Sequence, residues 1–290
     1  MAKTYCLGVL AAAMMSYAAC PQRTEQTTEV QPPLVAQASP SASESSSQEM
    51  YSMLENLCNA ESNAARGGLV MKELVKMGMD YSVQPFEIDG QHYRNIITKI
   101  DAENESHNLA FTAHYDRVDV GCGVVDNGSG TAVLLGMIKD IKANPNDNDL
   151  TFIFFDAEER GLWGSEYYVA NTDERFDAVF NIDMAGYGDS LMISRGVHHG
   201  GEFTPTTESL NNLIIEICNE NSIPYFWTQD KWTDNVSFNE EGLPAASVVR
   251  VDSSFPSPYP IHNEMDNMSI IDINLLASSK DFMLDILDRY

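Results

Sequence analysis

Residues 150–155 read LTFIFF, six positions without a charge, and Asp156-Ala157-Glu158-Glu159 follows at once. A strand that is apolar on both faces must be covered on both, which places it inside a largely parallel sheet packed between helices. The rest of the chain supplies such an architecture. Short apolar runs at 109–113, 178–182, 191–194 and 245–251 read as further strands, and 81–88 with 93–100 flank Asp89-Gly90 as a hairpin. Apolar residues at three- and four-residue spacing predict one or two helices over 50–77, and others at 128–143, 162–170, 210–218 and 273–287. The expected fold is α/β: a mostly parallel mixed central sheet with helices on both faces. With 43% hydrophobic and 9% aromatic residues, the chain has enough apolar material for one sizeable core.

In open α/β sheets, ligands bind beyond the carboxyl ends of the strands. Five such ends carry residues suited to metal ligation. His114-Tyr115-Asp116 follows the 109–113 strand, and Asp126-Asn127 closes a glycine-rich loop before the next helix. Glu158-Glu159 follows 150–155, Asp183 follows 178–182, and His262 lies beyond 245–251. Among 290 residues, 43 are acidic, so adjacent acidic pairs arise by chance, as Glu240-Glu241 illustrates. Placement at the ends of buried strands is what separates the five groups from that background. The chemistry suits two divalent ions about 3.5–4 Å apart, bridged by a carboxylate, with a further carboxylate serving as base. One imidazole and carboxylate oxygens on each ion fit zinc.

The runs AHYDRVDVGCGVVDNGSGTAVLLGM, FIFFDAEERGLWGSEYYV, NIDMAGYG and IHNEMDN resemble the M28 family of zinc peptidases, and most of all its aminopeptidase-type members. The resemblance spans about 109–287 and implies a zinc exopeptidase-like fold, peptide substrates and two zinc ions per chain. By position it implies that Asp126 bridges the ions, with His114 and Asp183 completing one site and Glu159 and His262 the other. Glu158 would be the general base that activates the bridging water and reprotonates the leaving amine. Asp116 would fix the His114 tautomer, and Asp266 either orients His262 or caps a helix. The implied reaction is removal of N-terminal residues through a dizinc-bound hydroxide. Two alternatives stand beside it: a one-zinc glutaminyl cyclase, suggested by SSFPSPYPIHNEMDN, and a non-catalytic peptide-binding lipoprotein.

The sequence departs from the family pattern at Thr233-Asp234-Asn235, where Ser-Asp-His is frequent, and at Gly121-Cys122-Gly123. Cys122 is expected to be a buried free thiol, although with Cys58, Cys122 and Cys218 the pairing stays open. His198-His199 in RGVHHGG reads as a solvated loop rather than a second metal site, and His92 and His107 as surface residues. Met184, Phe255, Tyr259 and Ile261 are candidates for the first side-chain pocket or for ordinary loop packing. Tyr225, Trp227 and Trp232 are read as an aromatic cluster near the site, with a tyrosine as a candidate oxyanion donor.

Residues 1–20, MAKTYCLGVLAAAMMSYAAC, have the basic start, apolar middle and small-residue end of an export signal. The ending Tyr17-Ala18-Ala19-Cys20 resembles a bacterial lipoprotein box with Cys20 as the lipidated residue. Residues 21–48 are rich in Pro, Gln, Ser, Thr and Glu and read as a disordered tether, leaving 49–290 as the peptidase domain. A periplasmic, cell-surface or secreted location follows from that reading. The formal charge of −26 argues against nucleic acid partners and against electrostatic docking on anionic lipid, leaving the lipid as the membrane link.

Overall fold

A computed structural model describes residues 44–290 except 103–105, 230 and 255–258. The expected signal, most of the tether and Phe255 therefore lie outside the described residues. All those described fall within one unit spanning 36–290. None of their helices is long and apolar enough to cross a membrane.

The central strand justifies the sheet around it. In β4 (Asp149–Phe155), Phe152 and Phe154 join one core while Ile153 and Phe155 join another, the period-2 alternation of a strand buried on both sides. The adjacent β3 (Asn108–His114) and, beyond it, β5 (Ala178–Asp183) alternate likewise, with Phe111 and Phe180 on the first face and Ala110 and Val179 on the second. Phe111 stacks on Phe152 and Phe180 with ring centroids 5.8 Å from each. With β1 (Tyr81–Ile88), β2 (Gln91–Ile100), β6 (Ser190–Ser194), β9 (Tyr225–Thr228) and β10 (Ala245–Val251), the sheet has eight strands in the order β1-β2-β4-β3-β5-β10-β6-β9. The β4-β3, β3-β5, β5-β10 and β6-β9 pairs are parallel and the other three antiparallel, the mixed and mainly parallel sheet expected.

Helices cover both faces. The larger core packs α1 (Glu44–Cys58), α2 (Asn63–Lys76), α3 (Ser129–Ala143), α5 (Glu208–Glu220) and α7 (Ile273–Asp288) against the first face. The smaller core holds Tyr168 of α4 (Trp163–Ala170) and Phe238 of α6 (Asn235–Glu240). Asp272 caps α7 by accepting from the Asn274 backbone N–H at 2.8 Å, which helps fix where the closing helix begins.

Several elements differ from the sequence reading. α1 opens at Glu44, inside the stretch expected as tether. The RGVHHGG segment is not a plain loop: β7 (Gly196–His199) pairs antiparallel with β8 (Glu202–Pro205). α6 escaped because six residues of mixed polarity, NVSFNE, carry too little periodicity to reveal a helix. Cys122 is not a free thiol. It is disulfide-bonded to Cys58 at the end of α1, and Cys218 is the buried free cysteine.

That crosslink closes a sequence separation of 64 residues. On the chain-entropy rule it should contribute about 4 kcal/mol of stability. Equilibrium unfolding of a Cys58→Ser/Cys122→Ser variant is expected to show a loss of that order. Unchanged stability would mean that the crosslink does not constrain the unfolded chain.

Candidate metal centre

His114 is the last residue of β3 and Asp183 the last of β5, and Glu158 and Glu159 occupy a single turn just beyond β4. Parallel neighbours in register bring these strand ends to one edge. Left-handed backbone at Ala157, Met184 and His262 (φ 60°, 63° and 58°) re-aims the chain where the adjacent side chains must turn inward.

The loop carrying Asp126 is held from several sides. Arg66, fully buried on α2, donates from Nη1 to Cys122 O at 3.1 Å and from Nη2 to Gly123 O at 2.9 Å, and from Nε to Tyr115 O. Gly123 has φ 61°, and a Cβ there would lie 2.5 Å from Arg117 Cβ. Asp266 Oδ1 accepts the backbone N–H of Val124 and Val125, both at 2.8 Å, and Oδ2 that of Asp126 at 3.3 Å. Asp266 therefore neither orients the His262 ring nor caps its own helix; both oxygens serve the Asp126 loop. Asn127 ties the same loop to β5, donating to Ile182 O at 2.9 Å and accepting from Met184 N–H at 3.0 Å.

Asp126 then stands between two histidines. Its Oδ1 is 3.2 Å from His114 Nε2 and its Oδ2 is 3.2 Å from His262 Nε2. On one side lie Asp183, with an oxygen 3.7 Å from His114 Nε2, and Glu158, at 3.9 Å. On the other, Glu159 is 2.9 Å from His262 Nε2. Two donor groups result, His114–Glu158–Asp183 and Asp126–Glu159–His262, each with its donor atoms within 4.8 Å of one another. No other such group of three occurs among the described residues, and neither His198 nor His199 belongs to one there. His199 instead lies 3.0 Å from Glu240, while His92 and His107 are at the surface as expected.

Asp116 lies beneath the centre. Its Oδ1 is 3.3 Å from His114 Nδ1 and also accepts from Glu158 N–H, while its Oδ2 accepts from Glu159 N–H. The same carboxylate thus supports the imidazole and the turn bearing both glutamates. Asp156 points elsewhere, accepting from Tyr115 Oη at 2.8 Å and Arg94 N–H at 3.1 Å.

The donor set fits divalent cations. His114 Nε2, Glu159 Oε1 and Asp183 Oδ1 are buried without a hydrogen bond among the described residues, a costly arrangement unless positive charge sits between them. Protons respond to the same field. Burial opposes a charge on His114, but Glu158, Asp116, Asp126 and Asp183 outweigh it and hold the imidazole well above its usual range. Hydrogen bonds to Asp126 and Glu159 raise His262 to about 10. Burial pushes Glu158 well above the ordinary carboxyl range, with His114 opposing.

A cation entering must displace such protons. Because the His262 value is raised to about 10, its proton is bound throughout neutral pH and competes with the ion. Zinc affinity should therefore rise between pH 6 and 9, by up to about tenfold per pH unit for each proton displaced. Zinc titrations across that range measure it, and an affinity that stays flat or falls would contradict the proton competition.

The neighbouring candidates divide. Met184 is buried in an apolar cluster with Val125, Met192 and Val249, against which Tyr259 and Ile261 pack, half-buried. The three aromatic residues do not form one cluster. Tyr225 packs on the main core, Trp227 lies under the Arg195 guanidinium at 4.1 Å, and Trp232 meets His199 edge-on. Two further residues act electrostatically on the centre: Asp234, marked in the sequence only as part of Thr233-Asp234-Asn235, and Lys231, which carried no sequence signal. Asp234 is fully buried, and burial pushes its carboxyl up to about 7 against the pull of His114. Lys231, half-buried, lies in the field of Asp183, Asp126, Glu158 and Glu159.

Known proteins share both fold and pattern. A solved zinc aminopeptidase from Bacillus subtilis superposes with a TM-score of 0.71 at 19% identity, covering 84% of this chain and 94% of its own. Porphyromonas gingivalis glutaminyl cyclase does so at 0.72 and 20%, covering 84% and 98%. At such identities the likeness is one of fold. In sequence, the chain is 32% identical to aminopeptidase YwaD of Bacillus subtilis over 201 residues, 67% of this chain and 44% of that protein. It thus spans less than half the length of that relative. The pattern of peptidase family M28 matches residues 95–287, about two thirds of the sequence. With the ordered ligand-type residues lying inside that match, the chain belongs to peptidase family M28.

Proposed function

We propose that the chain is a zinc-dependent aminopeptidase that takes two ions and removes residues from the free amino terminus of peptides. The observation that carries this reading is Asp126, which offers one oxygen to each histidine and so joins two donor groups into one centre. The aminopeptidase relatives add support. His114 and Asp183 would hold one ion, Glu159 and His262 the other, with Asp126 shared. When bound, the ions would polarise the scissile carbonyl and lower the pKa of a water held between them.

The chain's own groups supply the rest. Glu158 takes a proton from the attacking water and returns it to the departing amine, a task suited to a buried carboxyl raised above its ordinary range. Asp116 Oδ1, 3.3 Å from His114 Nδ1, is placed to take a proton-mediated contact from that nitrogen, which would leave Nε2 for the centre. The substrate's ammonium is drawn to the carboxylates at this edge, which confines cleavage to the first residue.

The test is a zinc-loaded sample given a peptide with free N-terminal Leu, its N-acetylated form, and a peptide beginning with Gln, read by mass spectrometry. Loss of the first residue from the unblocked peptides alone is expected. Cleavage of the acetylated peptide, or loss of only ammonia from the Gln peptide, would replace this reading with an endopeptidase or a glutaminyl cyclase.

The proposal extends to location: an exported enzyme held to a membrane through lipidated Cys20, with 21–43 as tether. The Cys58–Cys122 disulfide supports export, since such bonds persist in oxidising compartments. The mass of the mature amino terminus checks it, an unmodified residue there contradicting the anchor.

A further inference from the structure

α2 turns a polar stripe inward. Asn63, Arg66, Gly67, Val70 and Leu74 follow the three- and four-residue spacing of one helix face. Val70 and Leu74 are fully buried in the main core, as the inward face of an amphipathic helix should be. The same face nevertheless begins with an amide, a guanidinium and a glycine.

Each of these three meets a segment that bears metal ligands. Asn63 accepts from Arg117 N–H and donates to Arg117 O, both at 3.1 Å. Gly67 lets the helix lie close to Tyr115, since a Cβ there would stand 2.9 Å from the phenol ring. Arg66 reaches furthest. Its Nε donates to the carbonyl of Tyr115, the residue between His114 and Asp116. Its Nη1 and Nη2 donate to Cys122 O and Gly123 O, on the loop that leads to Asp126. Nη1 also donates at 3.1 Å to Leu57 O, in the last turn of α1. One side chain thus joins the end of α1, the turn after β3 and the Asp126 loop.

Arg66 is fully buried, and among the described residues it makes no ion pair; its hydrogen bonds all go to backbone carbonyls. Burying a guanidinium without a carboxylate partner is costly, and packing alone would be served better by an apolar side chain. What the guanidinium adds is a rigid planar fork of five donors, which fixes the carbonyls relative to one another. Arg66 also lies outside residues 95–287, the part of the chain that matches the family pattern.

We propose that Arg66 is a positioning residue for the metal centre, setting the spacing between the His114–Asp116 turn and the Asp126 loop so that ligands on both converge. The inference rests on the two-ion reading for what those segments hold. Without the fork, Tyr115 O, Cys122 O and Gly123 O lose their shared donor and the two segments can move independently. Asp266 still holds the Asp126 loop from its other side through Val124 and Val125 N–H, so a loosened centre is expected rather than an unfolded one.

The experiment compares wild type with Arg66→Met, Arg66→Lys and Leu74→Ala. The last weakens the packing of α2 without removing a donor. Zinc affinity is read by competition with a chelator, and exchange of the Val124 and Val125 amides is followed in the zinc-free protein. Arg66→Met should bind zinc about 10–100-fold more weakly, the range for residues that support ligands. Its Val124 and Val125 amides should exchange about tenfold faster, the scale of one net hydrogen bond. Arg66→Lys should also lose about tenfold in affinity, because a point-like ammonium does not reproduce the fork. Leu74→Ala should keep wild-type affinity and exchange in its folded fraction.

Wild-type affinity in Arg66→Met or in Arg66→Lys would overturn the proposal. So would an equal loss in Leu74→Ala, which would reduce Arg66 to helix packing. If Arg66→Met does not fold, Arg66→Lys decides by the same two measurements. If wild type binds no zinc, the two-ion reading fails separately, and amide exchange still decides Arg66. Faster exchange in its variants and not in Leu74→Ala would sustain the positioning role, and unchanged exchange would remove it.

Discussion

Replacing Asp126 by Ala should remove metal and turnover together. Its two oxygens stand 3.2 Å from His114 and 3.2 Å from His262, so a single truncation takes a ligand from both halves of the centre. In the proposed two-ion centre it would also remove the negative charge between the cations, whose repulsion would then oppose occupancy of either half. The expected result is fewer than two zinc ions per chain at concentrations that saturate wild type, with kcat/KM reduced by about a thousandfold or more, the scale of losing several kcal/mol of transition-state stabilisation. Asp266→Asn is the instructive comparison. Asp266 touches only the backbone of the Asp126 loop, so its effect on zinc affinity should stay within the about 10–100-fold typical of residues that support ligands. Two zinc ions retained in Asp126→Ala with wild-type turnover would show that the carboxylate does not bridge.

Glu158→Gln separates binding from chemistry. The amide keeps the size of the side chain and removes its capacity to exchange a proton. Glu158 lies within the His114–Asp183 group, 3.9 Å from His114 Nε2, so geometry alone permits it to ligate. The assignment as base rests on division of labour. Its chain neighbour Glu159 turns to His262 at 2.9 Å, and Asp126 has an oxygen 3.2 Å from each histidine, so the proposed centre has ligands for both ions without Glu158. The variant should bind zinc like wild type and lose turnover on the order of a hundredfold or more, as expected for a missing general base. Zinc loss in step with activity would instead make Glu158 a ligand. Undiminished turnover would remove it from the mechanism.

The scaffold was legible where burial imposed a pattern. LTFIFF required cover on both faces, and β4 has it, with Phe152 and Phe154 in one core and Ile153 and Phe155 in the other. The ligand-type residues could be placed because strand ends share an edge in a parallel sheet, so His114, Glu158, Glu159 and Asp183 needed no long-range information. His262 and Asp126 were found by family pattern as much as by position, since both sit in loops whose course the sequence does not dictate.

What escaped depended on tertiary partners. Nothing local distinguishes Cys58 as the mate of Cys122 when three cysteines remain. Asp266 lies near His262 in sequence but spends its oxygens on backbone some 140 positions earlier. Its function is invisible until the loop is folded against it. Lys231 and Asp234 lie in a short polar connection, the composition expected of any solvated turn, and only packing reveals that one is half-buried and the other fully so. The β7-β8 hairpin was hidden by its glycines, which resemble a loop by composition alone.

The most direct test is a zinc titration of the chelator-treated protein, following release of the first residue from an unblocked peptide while bound metal is counted. Residue release should be absent without metal, and it should reach its full rate only as occupancy approaches two ions per chain. Full activity at one ion per chain, or activity that survives complete removal of metal, would contradict a centre bridged by Asp126.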